Sequence, residues 1–222
     1  ITKLKLEQYE AAIADYDESL RLKPDAVTYN ARGYAKAQLG QYEAAIADFD
    51  ETIRLKPDYA LAHNNRGYAK EKLKQQEEAT ADYKQAITHY DEQIRLKPDN
   101  AIAHNGRGLA KIRLGEFDSA ISDFDEAIRL NPDNTAAYTN RGRTKNGLGR
   151  HKDALIDCDE AIRIKSDNAF AYKNRGVAHT GLGQIQEAKA DYHKALELLK
   201  QVRNEGLKVE VEQLLQELED PE

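Results

Sequence analysis

Apolar residues return along this chain at three-and-four spacing, in paired short runs broken by glycine and proline. Within Ala101–Asn134, the run Ile102–Leu114 carries Ala103, Arg107, Ala110, Lys111 and Leu114 at helical spacing. The run Asp118–Leu130 carries Ala120, Ile121, Phe124, Ala127, Ile128 and Leu130. This periodicity predicts two amphipathic helices. Gly115 lies between them, where a helix commonly ends. Pro132 stops the second, because it has no N–H and its ring clashes with the preceding turn. Asn131 and Asp133 add turn chemistry. The segment therefore predicts an antiparallel helical hairpin in which the small Gly108 and Ala120 let two backbones approach. A lone hairpin cannot bury both faces, so neighbours must stack on it.

The same pattern recurs. Arg-Gly stands at Arg32-Gly33, Arg66-Gly67, Arg107-Gly108, Arg141-Gly142 and Arg175-Gly176, at intervals of 34, 41, 34 and 34. Arg-Leu-Lys-Pro-Asp starts at Arg21, Arg54 and Arg95, with variants from Arg129 and Arg163. A fixed period of roughly 20–50 residues signals stacked supersecondary units. The expected organisation is a single array: a partial repeat over 1–25, repeats over 26–59, 60–100, 101–134, 135–168 and 169–202, and a C-terminal capping helix in 203–222.

Individual units depart from the template. Leu6 and Tyr9 lead into a first helix predicted from about Glu10 to Leu22, with Ala12, Tyr16 and Leu20 inward. Unit 60–100 replaces the turn glycine with Lys74 and the turn aromatic with Gln76, and its second helix is seven residues longer. Seven residues are close to two turns, so the inward face stays inward. Tyr83, Ile87, Tyr90 and Ile94 form a stripe along it, read as packing on neighbouring helices, with docking of a partner or a second copy as the rival reading. Unit 169–202 has Lys200 where proline would stop the helix, so that helix is predicted to reach about Arg203 before Asn204-Glu205-Gly206 breaks it. The last helix, Leu207–Glu219, carries Leu207, Val211, Leu214, Leu215 and Leu218 on one face, as an end cap requires. Self-association through 83–94 or 207–219 is the alternative.

An arginine precedes the glycine in five units, and the slot of Asp123 is acidic in each copy: Asp15, Asp48, Asp82, Asp123, Asp157 and Asp191. Arginine and aspartate, as for Arg107 and Asp123, are expected to pair between the two helices of a hairpin as a charge-assisted fork. Lys36, Lys70, Lys111 and Lys145, one turn after the arginines, are placed to join them.

These features resemble the tetratricopeptide repeat, in which Gly108, Gly115, Phe117, Ala120, Phe124, Ala127 and Pro132 match the family pattern, in register across almost all of residues 1–202. The resemblance implies an all-α, right-handed α-solenoid of stacked antiparallel helical hairpins. It also implies a non-enzymatic protein–protein interaction scaffold whose first helices line a concave groove for an extended peptide. Carried onto this chain, the groove gathers Asn30, Asn64, Asn65, Asn105, Asn140 and Asn174. An asparagine amide has a donor and an acceptor, which suits a peptide backbone. Asn65, Asn140 and Asn174 share one slot, similar to the asparagine ladder of the O-GlcNAc transferase superhelix, with gaps at Ala31 and Gly106. Tyr34 and Tyr68 add flat apolar anchors. Lys72, Arg113, Arg143 and Lys173 make the groove basic against Glu71, so the expected partner is a protein or peptide segment bearing acidic residues. Asn30, Tyr34 and Val27 occupy the slots where chaperone-tail-binding relatives place their lysine clamp, so a chaperone C-terminal carboxylate is not the expected ligand.

Composition narrows the function further. The chain of 222 residues has 32% charged residues and a net charge of −6, which gives nucleic-acid binding no electrostatic support. There is no apolar stretch near the ~18 residues a membrane span needs. Cys158, the lone cysteine, sits in the slot of Phe124 and reads as core. The lack of disulfide partners fits a cytoplasmic setting. The chain has no methionine and opens inside a repeat at Ile1, as an excised piece of a longer protein would. The structural rival is a spacer or self-association module, or the regulatory region of an enzyme whose catalytic domain lies elsewhere. His63 and His104 share one slot with Tyr29, Tyr138 and Tyr172, which reads as packing. No histidine pair has metal-ligand spacing, and no catalytic grouping or phosphate-binding loop is recognisable, so no enzyme activity, metal or cofactor is expected.

Overall fold

The computed structural model describes residues 3–202 and 205–219. Among the described residues all regular structure is helical: α1 Lys3–Leu22, α2 Ala26–Gln38, α3 Tyr42–Leu55, α4 Ala60–Lys72, α5 Gln76–Leu96, α6 Ala101–Arg113, α7 Phe117–Leu130, α8 Thr135–Gly147, α9 His151–Ile164, α10 Ala169–Gly181, α11 Ile185–Val202 and α12 Glu205–Glu219. The protein is an all-α repeat fold of solenoid type. Helix α1 begins at Lys3 rather than near Glu10, because the sequence has no glycine or proline before Pro24 to interrupt it. The Leu6 side chain lies outside the described residues, as do Arg203 and Asn204, where the end of α11 was expected.

Local chemistry sets the helix ends. Asp25, Asn100, Asn134 and Asn168 cap α2, α6, α8 and α10, each side chain accepting from the backbone N–H three residues on. Gly40, Gly115, Gly149 and Gly183 close first helices in the left-handed region, with φ of 72–79°. Lys74 holds the same position in α4–α5 with φ 61°, a conformation that costs a side chain energy.

The chain divides into two compact units, Lys3–Glu116 and the part from Phe117 onward. In the first, α2 packs on α3 and α4 on α5, and α1, α3 and α5 in turn contact α2, α4 and α6. Ala37, Ala45, Phe49 and Ala69 make one core cluster. Ala60, Ala86, Tyr90, Ala103 and Ala110 make another, with Ile87 and Ile94 against it. The α5 stripe packs inward, as the packing reading expects: Tyr83 and Tyr90 are 1% and 5% exposed, and Ile87 and Ile94 rest on the cluster of Tyr90. In the second unit α8 packs on α9, α10 on α11, α9 on α10 and α11 on α12. Leu207 and Val211 of α12 are buried with Tyr192, Leu198 and Leu199 of α11, and Leu214, Leu215 and Leu218 rest on that cluster. The apolar face of 207–219 is therefore spent on α11.

Arginine–aspartate forks brace the hairpins. Arg32 donates through Nε and Nη2 to Asp48 at 3.0 and 2.6 Å, and Lys36 reaches the same carboxylate at 2.8 Å. Arg66 and Lys70 do the same at Asp82, Arg141 and Lys145 at Asp157, and Arg175 at Asp191. Each arginine also reaches backward through Nη1, a bond the sequence did not suggest: Arg32 to Asp17, Arg66 to Asp50, Arg107 to Asp91, Arg141 to Asp125 and Arg175 to Asp159. One guanidinium thus ties its own hairpin partner to the helix before it. Burial alone would push the Asp82 carboxyl up, but His63, Arg66 and Lys70 around it outweigh that and hold it well below the ordinary carboxylate range.

Candidate peptide-binding faces

Helices α2, α4 and α6 present one face in the first unit. Their second residues, Val27, Leu61 and Ile102, are 63%, 42% and 81% exposed and form an apolar column. Beside it Tyr34, Asn64, Asn65, Tyr68, Leu109 and Arg113 line a hollow of about 250 Å³, floored by Phe49 and Tyr83. Asn64 Oδ1 is buried without a hydrogen-bond partner among the described residues. Tyr68 is a flat platform, with Lys72 Nζ 5.3 Å and the Arg113 guanidinium 5.2 Å from its ring centre. Arg113 also meets Glu71 at 3.3 Å, and Tyr83 donates to the same carboxylate at 2.7 Å. Burial raises the Tyr83 phenol above its ordinary range.

In the second unit Asn140, Arg143, Phe170, Lys173, Asn174 and Glu210 line a more open groove of about 560 Å³, with Thr135, Thr139 and Asn168 along its wall. Arg143 is exposed, Asn140 half-buried and Phe170 48% exposed. Lys173 is 8% exposed and donates to Glu210 at 2.9 Å.

Several asparagines turn out to serve the frame. Asn65 Nδ2 donates to Asn30 Oδ1 at 3.2 Å, and Asn30 is buried. Asn174, also buried, donates to the Thr139 carbonyl at 3.2 Å and accepts from Asn146 Nδ2 on its own carbonyl at 2.7 Å. These bonds clip one first helix to the previous one, so the ladder's donors are largely used within the fold. The gap at Gly106 has a cause: a Cβ there would lie 2.4 Å from Tyr90 Cζ, so the ring of α5 occupies the space of a side chain. Asn105 is half-buried on α6. The groove is also less basic than its sequence, because Glu71 and Glu210 meet Arg113 and Lys173.

Four contributors fall outside the predicted groove residues: the apolar residues Val27 and Leu61, the aromatic Phe170, and Glu210. The first three were findable, since they stand in the column of Ile102, a groove slot. Glu210 depended on how α12 docks, which no local pattern encodes.

Nothing among the described residues looks catalytic. His63 and His104 rest their Nε2 atoms on the carbonyls of Pro57 and Pro98 at 3.0 and 3.2 Å. No group of three or more acids, histidines or cysteines that could hold a metal occurs among them. Burial pushes the Cys158 thiol up to about 12, which makes it inert. No helix among them is long and apolar enough to cross a membrane.

Family models for the tetratricopeptide repeat match residues 2–25, 33–74, 75–115, 107–169 and 169–201. Among solved structures, a tetratricopeptide repeat protein from Parabacteroides merdae is 19% identical with a TM-score of 0.72, over 96% of this chain and 79% of that one. The thermophilic repeat protein TTC0263 of Thermus thermophilus is 20% identical with a TM-score of 0.68, over 86% and 98%. The TPR2AB domain of yeast Sti1, in its pHSP90 complex, is 20% identical with a TM-score of 0.50, over 96% and 93%. At these identities the likeness is one of fold. Comparison with the curated proteins gives no significant match.

Proposed function

Because the chain belongs to the tetratricopeptide repeat family, we propose that it is a non-enzymatic scaffold that holds an extended segment of a partner protein against its first-helix faces. The observation that carries this reading is Asn64. A buried carbonyl oxygen without a donor costs about 1–3 kcal/mol, and this one sits in a hollow walled by Tyr34, Tyr68 and Arg113. An extended segment laid in that hollow brings a peptide N–H beside the Asn64 amide, which turns to meet it. Tyr34, 48% exposed, and the column Val27, Leu61 and Ile102 offer apolar surface to the side chains beside that N–H. The face of the second unit, with Asn140, Arg143, Lys173 and Asn174, suits a segment bearing acidic residues. A cytoplasmic setting fits the single buried thiol of Cys158.

The test uses the chain as bait in a cell lysate, beside two variants. Tyr34→Ala with Asn64→Leu alters the first face, and Asn140→Ala with Arg143→Ala alters the second. The expected result is a partner retained by the native chain and lost by at least one variant of unchanged helical content. Partners held equally by all three baits would overturn the reading.

A further inference from the structure

We propose that Glu210 of α12 is an internal stand-in for a partner's carboxylate, and that the groove of the second unit takes an acidic peptide segment which displaces it. The proposal rests on the peptide-binding reading above. Lys173 is unlike its counterparts: the same slot holds Asn30, Asn64, Asn105 and Thr139 in the other repeats. Its side chain is only 10% exposed, and a cation so far out of water needs a counter-charge. That counter-charge is Glu210, 2.9 Å away.

The two partners are not equally committed. Lys173 is fixed in α10 and walled by the groove, whereas the Glu210 side chain is 54% exposed. Leaving Lys173 returns Glu210 to water at little cost, provided another carboxylate replaces it. The groove lining favours such an exchange. Arg143, Lys165 and Lys173 face it, against Glu210 as the lone acid of the lining, and Asp167 lies 3.8 Å from Lys165. Phe170 gives the incoming segment an apolar edge, 48% exposed. A neutral peptide gains nothing from displacing Glu210. An acidic one replaces the pair it breaks and is selected for doing so.

The test is a positional library of blocked hexapeptides with zero to four glutamates, screened against the native chain, Glu210→Gln and Lys173→Gln by fluorescence polarisation. A half-exposed pair is worth up to about 1 kcal/mol, a factor of about five. Glu210→Gln is therefore expected to bind glutamate-containing peptides about five-fold more tightly than the native chain, with neutral peptides unchanged. Lys173→Gln is expected to lose the preference for glutamate. If native and Glu210→Gln proteins bind acidic peptides equally, Glu210 is not a competitor and the proposal fails while groove binding survives. If peptides bind all three proteins without regard to glutamate, the acidic ligand is wrong. If no peptide binds any of them, both this proposal and the reading beneath it fall. Superimposable circular-dichroism spectra of the three proteins at the assay temperature exclude misfolding as the cause.

Discussion

Removing the Asp157 side chain is the sharpest test of what holds a hairpin together. Asp157 is fully buried between α8 and α9. Its carboxylate accepts from Arg141 Nε at 3.0 Å and Nη2 at 2.5 Å, and from Lys145 Nζ at 2.8 Å. Asp157→Ala strands two cations whose side chains are each 16% exposed. Breaking a buried pair from one side costs about 3–5 kcal/mol. Arg141 keeps Asp125 through Nη1 at 2.5 Å, which places the loss toward the lower end, about 3 kcal/mol. Asp125→Ala is the control. Its side chain is 55% exposed, so its loss should stay below about 1 kcal/mol. Urea unfolding followed by circular dichroism reads both. A triple variant, Asp157→Leu with Arg141→Met and Lys145→Met, should recover much of the loss, since replacing a whole buried ionic group with apolar residues is often neutral. If Asp157→Ala costs no more than Asp125→Ala, the buried fork is not what fixes the hairpin, and the recurrence of arginine and aspartate in every unit needs another cause.

Three further outcomes follow from single positions. Lys74→Gly should raise the melting temperature, because the left-handed conformation at φ 61° costs a side chain about 1–2 kcal/mol, partly offset by glycine's greater freedom when unfolded. Gly106→Ala should destabilise by about 1–3 kcal/mol, since the new Cβ meets the Tyr90 ring; Gly147→Ala, with nothing within 4 Å, should not, and equal effects in denaturant unfolding would refute the steric argument. His89 has its pKa lowered by partial burial and by His63, whose ring centre is 5.0 Å away. The unfolded chain, with histidine near 6.5, therefore binds the proton more readily, so stability is complete above about pH 6.5 and falls as pH drops through the lower folded value. Melts across pH 5–8 should show a shallower acid loss in His89→Gln than in the native chain, and parallel curves would discount His89.

Much of this frame was readable because it repeats. The Arg–Asp forks could be predicted from sequence alone, since the arginine and the core aspartate recur in register on the two helices of each hairpin. The backward bonds of the same arginines were not legible. Asp17, Asp50 and Asp125 look like ordinary solvated acids until the preceding helix is placed beside the next arginine. The candidate faces were read less well, for a physical reason. Asparagine was assigned to the groove by slot, but a slot does not say where an amide spends its donors. Asn65 and Asn174 spend theirs on Asn30 and Thr139, whereas Asn64 keeps a buried acceptor unused. Lys173 looked like free positive charge because Glu210, thirty-seven residues away, neutralises it only once α12 has docked.

The lengthened α5 shows how the frame and the faces are separated. Within the first unit, Arg66 ties Asp82 ahead of it and Asp50 behind it, and the core acid and the backward acid of an ordinary second helix stand two residues apart, as in Asp48 and Asp50. In α5 these duties fall to Asp82, which serves Arg66, and Asp91, which serves Arg107, nine residues apart. The extra seven residues are two helical turns to within about 20°, so both carboxylates still point at an arginine and both tyrosines still point inward. Tyr83 fills the space beside Gly67 and Tyr90 the space beside Gly106. An insertion far from a whole number of turns, such as five or nine residues, would have swung Asp91 away from Arg107 and exposed one of the two rings. The charged braces therefore set which changes of length the array tolerates. The column Val27, Leu61 and Ile102 is exposed and differs in residue from repeat to repeat, the variation that the proposed recognition face calls for.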